Sequence, residues 1–380
     1  MDSLIEGVSN LESSGKTKIQ VSTESDTQTY DANAIVYDGN LVLDGQKTVE
    51  GCTLNNNIYE FGNKTEDVAK SQTDMAKNMV ILKVNGDLTI NEGITVTACK
   101  SDSGFGGPKG MLIYCTGTLT NNGTISMTAR GGIAKGQNIY LWKNENNETN
   151  PYEYIPATGA AGAAQVGGSG SFAGNKGNDG NNRATGGGAT GAVMSKYSTY
   201  WKKYKYDYSG TGGTGNSYSG GSSIITLNRD NRTVNCANVT STGNGGNGFT
   251  VMGYGRTAGG GAGNPCGTGS INAEVNPTYN GQNGTGGLLI IYANIINNGS
   301  NSEILSQGSS GGNGMVGGGA SGGGSINIFV KKEYNNQPKN INANGGSATG
   351  TITLSGKGGN GSVSVGSVET ENYVSIYKNY

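Results

Sequence analysis

The feature that most constrains the fold of this chain is a unit of four parts that recurs along it. Each unit has an apolar strand, a polar turn rich in Asn or Gly, a second strand with alternating side chains, and a glycine-rich stretch. The unit recurs at residues 79–107, 110–132, 223–248, 287–314 and 325–350. Its apolar segments, such as LLIIY and INIFV, hold the β-branched and aromatic residues typical of strands. One unit cannot bury its own apolar face, whereas stacked copies share a continuous core.

This pattern predicts an all-β, elongated protein that is built from repeats and carries glycine-rich loops. A β-solenoid and a β-sandwich both agree with the strand signals, so the sequence leaves these two folds open. The composition argues against one thick core, because 70 of the 380 residues are glycine and only 33% are hydrophobic.

The repeats divide the chain into five predicted segments. These are a polar N-terminal tail or attachment segment at 1–27, a β region with hairpins and one short helix (64–79) at 28–78, a first pair of repeats at 79–132, an insertion rich in Gly and Tyr at 133–222, and C-terminal β-repeats at 223–380. DG turns predict the hairpins of the second segment. The last residues of the chain predict one or two closing strands.

The glycine-rich stretches have two interpretations. Residues 157–192 are either a flexible low-complexity loop or several extended segments that pack side by side as helices of the polyglycine-II type. In the second case the bare backbones hydrogen-bond to one another, and the stretches at 245–269 and 311–324 join the same layer. Their recurrence at equivalent points of the repeats favours the packed arrangement.

Residue types argue against catalysis and metal binding. The chain has no histidine, which excludes a Ser-His-Asp triad and a histidine metal site. Asp31, Asp38 and Asp44 belong to turn-like sequences and have a structural explanation. The five cysteines are odd in number and lack CxxC spacing, and those at 99, 115 and 236 lie in apolar alternations that favour buried thiols. We therefore expect no catalytic residues, no metal site and no cofactor.

The charge of the chain is balanced, with 26 Lys and Arg residues against 27 Asp and Glu residues. No general attraction for nucleic acid follows from this balance, so no nucleic-acid partner is expected. The N-terminus lacks the pattern of a secretory signal, and no apolar run approaches eighteen residues, which predicts no membrane insertion.

One aromatic and basic block, YSTYWKKYKYDY at 197–208, stands out from its glycine-rich surroundings. Alternation near its end predicts a strand with tyrosines on one face, and tyrosine offers large contact area at low entropic cost. Two interpretations stay open, a receptor-binding surface or a hairpin that covers a glycine layer or a subunit interface. The candidate receptor-binding residues are Tyr197, Tyr200, Trp201, Lys202, Lys203, Tyr204, Lys205, Tyr206 and Tyr208.

Residues 116–164 carry a resemblance to a known group of proteins. The segments TGTLTNNGTISMTARGG, GQNIYLWKN and YEYIPATGAAG resemble glycine-rich tail-fibre or adhesin-type proteins encoded by phages and prophages of gut Firmicutes. The resemblance covers residues 80–165, and the later repeats share its style. In composition the chain is also similar to the glycine-rich distal adhesins of T-even-type phage tails, whose glycine motifs pack as polyglycine helices.

The resemblance implies a non-enzymatic tail or fibre component of a virion that binds a host surface glycan or protein. Its partners would be that receptor, other virion tail proteins and further copies of itself in a homo-oligomer. Such a protein is assembled in the host cytoplasm and released by lysis, which agrees with the reduced, unpaired cysteines. The alternative function is a structural virion decoration or a subunit of a bacterial surface filament.

Overall fold

The structure is a computed structural model that describes part of the chain. The described residues are 8–22, 27–62, 78–99, 108, 110–131, 140–143, 152–155, 166–167, 185–186, 208–216, 220–227, 232–235, 248–251, 256–258, 273–276, 286–310, 320, 322–347, 357–368 and 373–376. All the secondary-structure elements that lie wholly within this part of the chain are strands. Of the described residues, only Val8 and Ser9 are helical. The prediction of an all-β protein is thus confirmed, with sheets of mixed direction.

The strands fall into three groups along the chain. The first group is β1 (Gly15–Ser22), β2 (Thr27–Asp38), β3 (Leu41–Leu43), β4 (Cys52–Asn55), β5 (Ile58–Phe61), β6 (Asn78–Asn85), β7 (Leu88–Ile90), β8 (Thr95–Ala98), β9 (Gly110–Asn121) and β10 (Thr124–Ser126). The second is β11 (Tyr140–Lys143), β12 (Tyr152–Ile155), β13 (Val166–Gly167), β14 (Thr185–Gly186), β15 (Tyr208–Asn216), β16 (Gly220–Leu227), β17 (Arg232–Asn235), β18 (Gly248–Val251), β19 (Arg256–Ala258) and β20 (Ala273–Asn276). The third is β21 (Leu288–Asn298), β22 (Glu303–Leu305), β23 (Ser325–Asn335), β24 (Asn340–Asn342), β25 (Ser362–Val368) and β26 (Tyr373–Ile376).

Two sheets of parallel strands hold the first and third groups together. In the long sheet, β2, β6, β9, β21, β23 and β25 lie side by side in parallel, while β1 and β26 close its two ends as antiparallel strands. In the short sheet, β5, β8, β10, β22 and β24 follow the same order, and antiparallel β4 closes one end. Each of the long strands β2, β6, β9, β21 and β23 therefore leads into a short strand of the other sheet, β2 and β6 by way of β3 and β7 of the long sheet. The chain then returns to the next long strand.

This alternation defines five stacked units. Unit 1 is residues 27–62, unit 2 is 78–99, unit 3 is 110–131, unit 4 is 286–310 and unit 5 is 322–347. Four of the stretches recognised in the sequence correspond to units 2 to 5. Unit 1 was expected to consist of hairpins, but only β4 and β5 pair in that way, across a turn at Asn56 and Asn57 that has positive φ. The YDGN turn instead carries the chain from β2 into β3, and both strands pair in parallel with unit 2.

The core lies between the two sheets and is made of rows of equivalent side chains. One row of the long sheet runs through Ile35, Leu82, Ile113, Ile291, Ile328 and Val365. The facing row of the short sheet runs through Tyr59, Val96, Ile125, Ile304 and Ile341. Both rows belong to one apolar cluster, so each unit buries its apolar side chains against the same positions of its neighbours. This is the shared core that the repeat predicted.

The structure differs from the sequence-based division at three places. Residues 223–248 do not continue the parallel ladder, because β16 pairs antiparallel with both β15 and β17 in a separate sheet. Residues 15–22, assigned to a polar tail, form β1 against β2. The predicted helix at 64–79 lies outside the described residues except for Asn78 and Met79, which begin β6. One or two closing strands are predicted at the end of the chain, and the structure has two there, β25 and β26.

Two buried asparagines stand in a row of core side chains that is otherwise apolar in units 1 and 2 and lies beside the polar turns. Asn121 of unit 3 and Asn298 of unit 4 lie in register and are fully or almost fully buried, where units 1 and 2 carry Leu43 and Ile90. The Asn298 amide nitrogen donates to the carbonyl of Asn336 at 3.0 Å, and only its Oδ1 lacks a protein partner, whereas both side-chain polar atoms of Asn121 lack one. An unpaired buried amide costs about 1–3 kcal/mol.

We expect Asn121→Leu to stabilise the protein by about 1 kcal/mol, because an apolar side chain removes the unpaired amide. Asn298→Leu is the matched variant, and it should lower stability because it removes the bond to the Asn336 carbonyl. Denaturant unfolding of both variants beside the wild type measures the difference. Equal destabilisation by the two substitutions would contradict this account.

Candidate functional site

Units 3, 4 and 5 close at the same corner of the stack, where the short sheet ends and the next long strand begins. There the returning chain donates a backbone hydrogen bond to the chain that departs. The bonds run from Gly287 N to Met127 O at 2.9 Å, from Gly324 N to Ser306 O at 2.7 Å, and from Gly361 N to Ala343 O at 2.7 Å. Strand register makes these three bonds equivalent. We call this place the loop corner.

The segments that follow units 3, 4 and 5 leave from the loop corner and return to it. After unit 3 the chain departs for residues 128–286, and after units 4 and 5 it departs for residues 307–323 and 344–360. The chain at the other turns is much shorter, for example at Asn122 and Gly123 between β9 and β10. Loops that carry function are commonly grouped on one side of a rigid scaffold. The loop corner is therefore the candidate functional site.

Glycine backbones pack against one another at this corner. Gly286, Gly323 and Gly358 donate to the carbonyls of Gly322, Gly359 and Gly346. A Cβ on Gly324 would collide with the carbonyl of Gly287, and one on Gly361 would collide with the carbonyl of Gly324. These two glycines have no positive φ, so close approach of the backbone and not torsional freedom requires them. The described ends of the glycine stretches thus form one packed layer.

Arg130 anchors the first residues of the longest loop. Its Nε donates to the carbonyl of Ala98 at 3.0 Å, and its guanidinium lies 3.6 Å from the carboxylate of Glu60. The two side chains are only 19% and 15% exposed. Burial lowers the pKa of Arg130, and the charge of Glu60 opposes that shift. A loop that departs from unit 3 is in this way tied to units 1 and 2.

The carboxyl of Asp44 and the thiols of Cys99 and Cys115 have structural explanations. Asp44 accepts the backbone N–H groups of Gln46 and Lys47, which lowers the pKa of its carboxyl. Cys99 and Cys115 are buried, as the sequence predicts, and burial raises the pKa of Cys115 to about 11. Among the described residues, no group of three or more His, Cys, Asp or Glu side chains is placed to hold a metal ion.

Most of the predicted receptor-binding residues lie outside the described part of the chain. These are Tyr197, Tyr200, Trp201, Lys202, Lys203, Tyr204, Lys205 and Tyr206. Tyr208 is the first residue of β15 and lies opposite Leu227 of β16 in the antiparallel ladder. All nine belong to residues 128–286, the loop whose two ends lie at the loop corner. The predicted insertion at 133–222 is shorter than this loop, because the sequence pattern of residues 223–248 predicts a repeat that the structure does not place in the stack.

Sequence reasoning missed Arg130 and Glu60 at this site. The only signal for Arg130 is its place in TARGG, directly after a short strand and before a glycine pair. Glu60 lies in a strand in which polar and apolar residues alternate, and this pattern predicts an ordinary exposed side chain. Their contact depends on three short strands that are distant in sequence and lie side by side.

Comparison of the chain with protein-family models, curated proteins and solved structures gave no match. In the described part of the chain, no helix has the length and apolar character that would let it cross a membrane.

We expect Gly324→Ala and Gly361→Ala each to destabilise the protein by at least about 2 kcal/mol, because the added methyl group has no space. Gly93→Asn is the control. Gly93 has positive φ, which Asn tolerates, and no atom lies within 4 Å of the position that a Cβ would occupy there. It should cost less than about 1 kcal/mol. Thermal unfolding measures all three variants, and equal losses would show that close approach does not matter.

We expect Glu60→Gln to destabilise the protein by about 2–4 kcal/mol, because it leaves the buried guanidinium of Arg130 without its carboxylate. Asp31→Asn provides the comparison. It removes the exposed pair of Lys18 and Asp31, whose side chains are 76% and 64% exposed, and should cost less than about 1 kcal/mol. Denaturant titration of both variants gives the two free energies of unfolding. A loss for Glu60→Gln no larger than that for Asp31→Asn would remove Arg130 as an anchor.

Proposed function

We propose that the stacked units are a β-solenoid and that the protein is a non-enzymatic tail or fibre component of a virion. In this proposal it binds a host surface glycan or protein through the loop of residues 128–286. A solenoid accounts for the topology better than a sandwich, because each long strand reaches its parallel neighbour only after a short strand of the other sheet. The glycine layer at the loop corner supports packing of the polyglycine-II type.

One observation carries the proposal, namely that units 3 and 4 pair in parallel in both sheets although the longest loop separates them. Ile113 of unit 3 lies beside Ile291 of unit 4, and Ser126 lies beside Leu305. The closing bond between Met127 and Gly287 is equivalent to those of the short loops. The ladder of β9 and β21 shifts register between Ala293 and Ile295, and the ladder of β21 and β23 shifts at the same place. Residues 128–286 are therefore an addition that the stack accommodates with the same pairing as it shows across a short loop. A rigid stack with one large added loop suits display of a contact surface.

The resemblance found in residues 116–164 indicates what kind of partner the loop binds in this proposal. Tail-fibre and adhesin-type proteins recognise host surfaces, and the tyrosine-rich block at 197–208 lies within the added loop. Tyrosine and tryptophan are the residues that most often dominate the energy of protein contacts. We place the receptor-binding surface in this block.

The proposal is tested by a chimera in which a short native loop replaces the long one. Residues 132–285 are replaced by a copy of residues 311–322, which keeps Arg130, Gly131 and the closing bond of Gly287. The chimera should retain the circular dichroism and cooperative unfolding of a β protein and lose binding to cells and cell-wall glycans of gut Firmicutes. A folded chimera that binds like the wild type would overturn the proposal.

A finer variant pair separates receptor binding from assembly. Tyr200→Ala combined with Trp201→Ala should abolish binding to host cells while particles still assemble. Lys331→Ala combined with Lys332→Ala, at an exposed place in unit 5, is the control and should leave binding unchanged. Lost particles or oligomers in the Tyr200 and Trp201 variant would instead support the alternative of a structural decoration or filament subunit.

A further inference from the structure

The outer face of the long sheet, turned away from the core between the sheets, is apolar and buried. One of its rows places Lys83, Tyr114, Tyr292 and Phe329 side by side on β6, β9, β21 and β23. The rings of Tyr114 and Tyr292 stack with centroids 4.6 Å apart, and the three aromatic residues are 6%, 7% and 1% exposed. A sheet face reaches this degree of burial only when a further layer of chain covers it.

Among the described residues, the covering layer comes from the N-terminal segment alone. Val8 is fully buried in the same apolar cluster as Tyr114 and Tyr292, and the half-buried Leu11 packs against that cluster. The remaining described members of the cluster are side chains of the long sheet itself. Two residues do not cover a face that extends from β2 to β23, so a further segment of the chain covers the rest of it.

Two anchors give the direction of the N-terminal segment across the sheet. The hydroxyl of Ser14 accepts a hydrogen bond from the backbone N–H of Val36 on β2. Lys83, on the neighbouring strand β6, donates from Nζ to the carbonyls of Ser9 and Leu11, both at 2.6 Å. The chain thus passes from β6 to β2 as its numbering rises. Followed backwards from Val8, it is directed towards β9 and β21, where the stacked tyrosines lie.

The residues before Val8 have the pattern that this face requires. Met1, Leu4, Ile5 and Val8 follow the spacing i, i+3, i+4, i+7, which places them on one side of a helix, with Asp2, Ser3 and Glu6 on the other. Val8 and Ser9 are helical. Seven residues of helix span about 10 Å, and adjacent strands lie about 4.8 Å apart. The segment therefore has the length to cross two strands beyond β6.

We propose that residues 1–8 form an amphipathic helix that docks its apolar side on Tyr114 and Tyr292 and covers the outer face of the long sheet. Lys83 holds the C-terminal end of this helix, where a cation complements the free carbonyls. The N-terminal segment is then an integral layer of the stack and not a free attachment tail. This inference is independent of the proposed receptor binding.

Thiol accessibility in the native protein tests the helix and its orientation. Ser3→Cys, Leu4→Cys and Glu6→Cys are made singly, treated with iodoacetamide, and the label at the new position is followed by mass spectrometry. The thiol at position 4 should react at least about tenfold more slowly than those at positions 3 and 6, and all three equally in denaturant. Equal rates in the native protein would overturn the proposal.

Tyrosine nitration tests the face that the helix covers. Leu4→Asp combined with Ile5→Asp should expose Tyr114 and Tyr292 to tetranitromethane, while Ser3→Asp, which adds a charge on the polar side, should leave them unreactive. Tyr59, fully buried between the sheets, reports on the integrity of the stack, and half-buried Tyr37 serves as a reactive reference.

Each outcome of the nitration experiment decides the proposal. Nitration of Tyr114 and Tyr292 with Tyr59 still protected supports it. Protection of all three in the Leu4 and Ile5 variant overturns it, because another segment must then cover the face. If Tyr59 also reacts, the variant has lost its fold, and the thiol rates at positions 3, 4 and 6 decide.

Discussion

The stack depends on one backbone contact, the hydrogen bond by which each returning glycine closes a unit against the departing carbonyl. At Gly324 and Gly361 the returning segment also lies so close to the returning segment of the preceding unit that a single methyl group would collide with a carbonyl of that segment. This contact sets where the next long strand begins. The two sheets then stay in step, and the inner rows of Ile, Leu and Val meet at every level. Hydrophobic burial supplies most of the stability, but the closing contact determines which side chains are brought together.

The same contact explains why loops of very different length occupy equivalent positions. The closing bond involves only the residues at the two ends of a loop, and the entropic cost of a longer loop rises slowly with its length. Units 3 and 4 therefore pair in the same way as units joined by a short loop, although residues 128–286 lie between them. A repeat scaffold with this property separates stability, which lies in the units, from the contact with a partner that we propose for the loop.

Two buried cations connect parts of the chain that are distant in sequence. Arg130 joins the start of the long loop to units 1 and 2 through Glu60 and the carbonyl of Ala98. Lys83 holds the N-terminal segment through two carbonyls, and burial lowers the pKa of its ammonium group. Burial of a cation is costly unless its hydrogen bonds are satisfied, so both side chains favour one arrangement of these segments over others.

The sequence by itself determined the all-β class, four of the five stacked units, the closing strands and the burial of Cys99 and Cys115. These features follow from local patterns, since apolar alternation and Asn-rich turns act over a few residues. The parallel pairing of units 3 and 4 across residues 128–286, the separate antiparallel sheet of β15, β16 and β17, and the contacts of Arg130 and Lys83 appeared only in the tertiary structure. Strand propensity does not specify which strands pair or in which direction, because pairing depends on side chains and backbone groups that are far apart in the chain. For that reason residues 223–248 read as a repeat, although tertiary pairing excludes them from the stack.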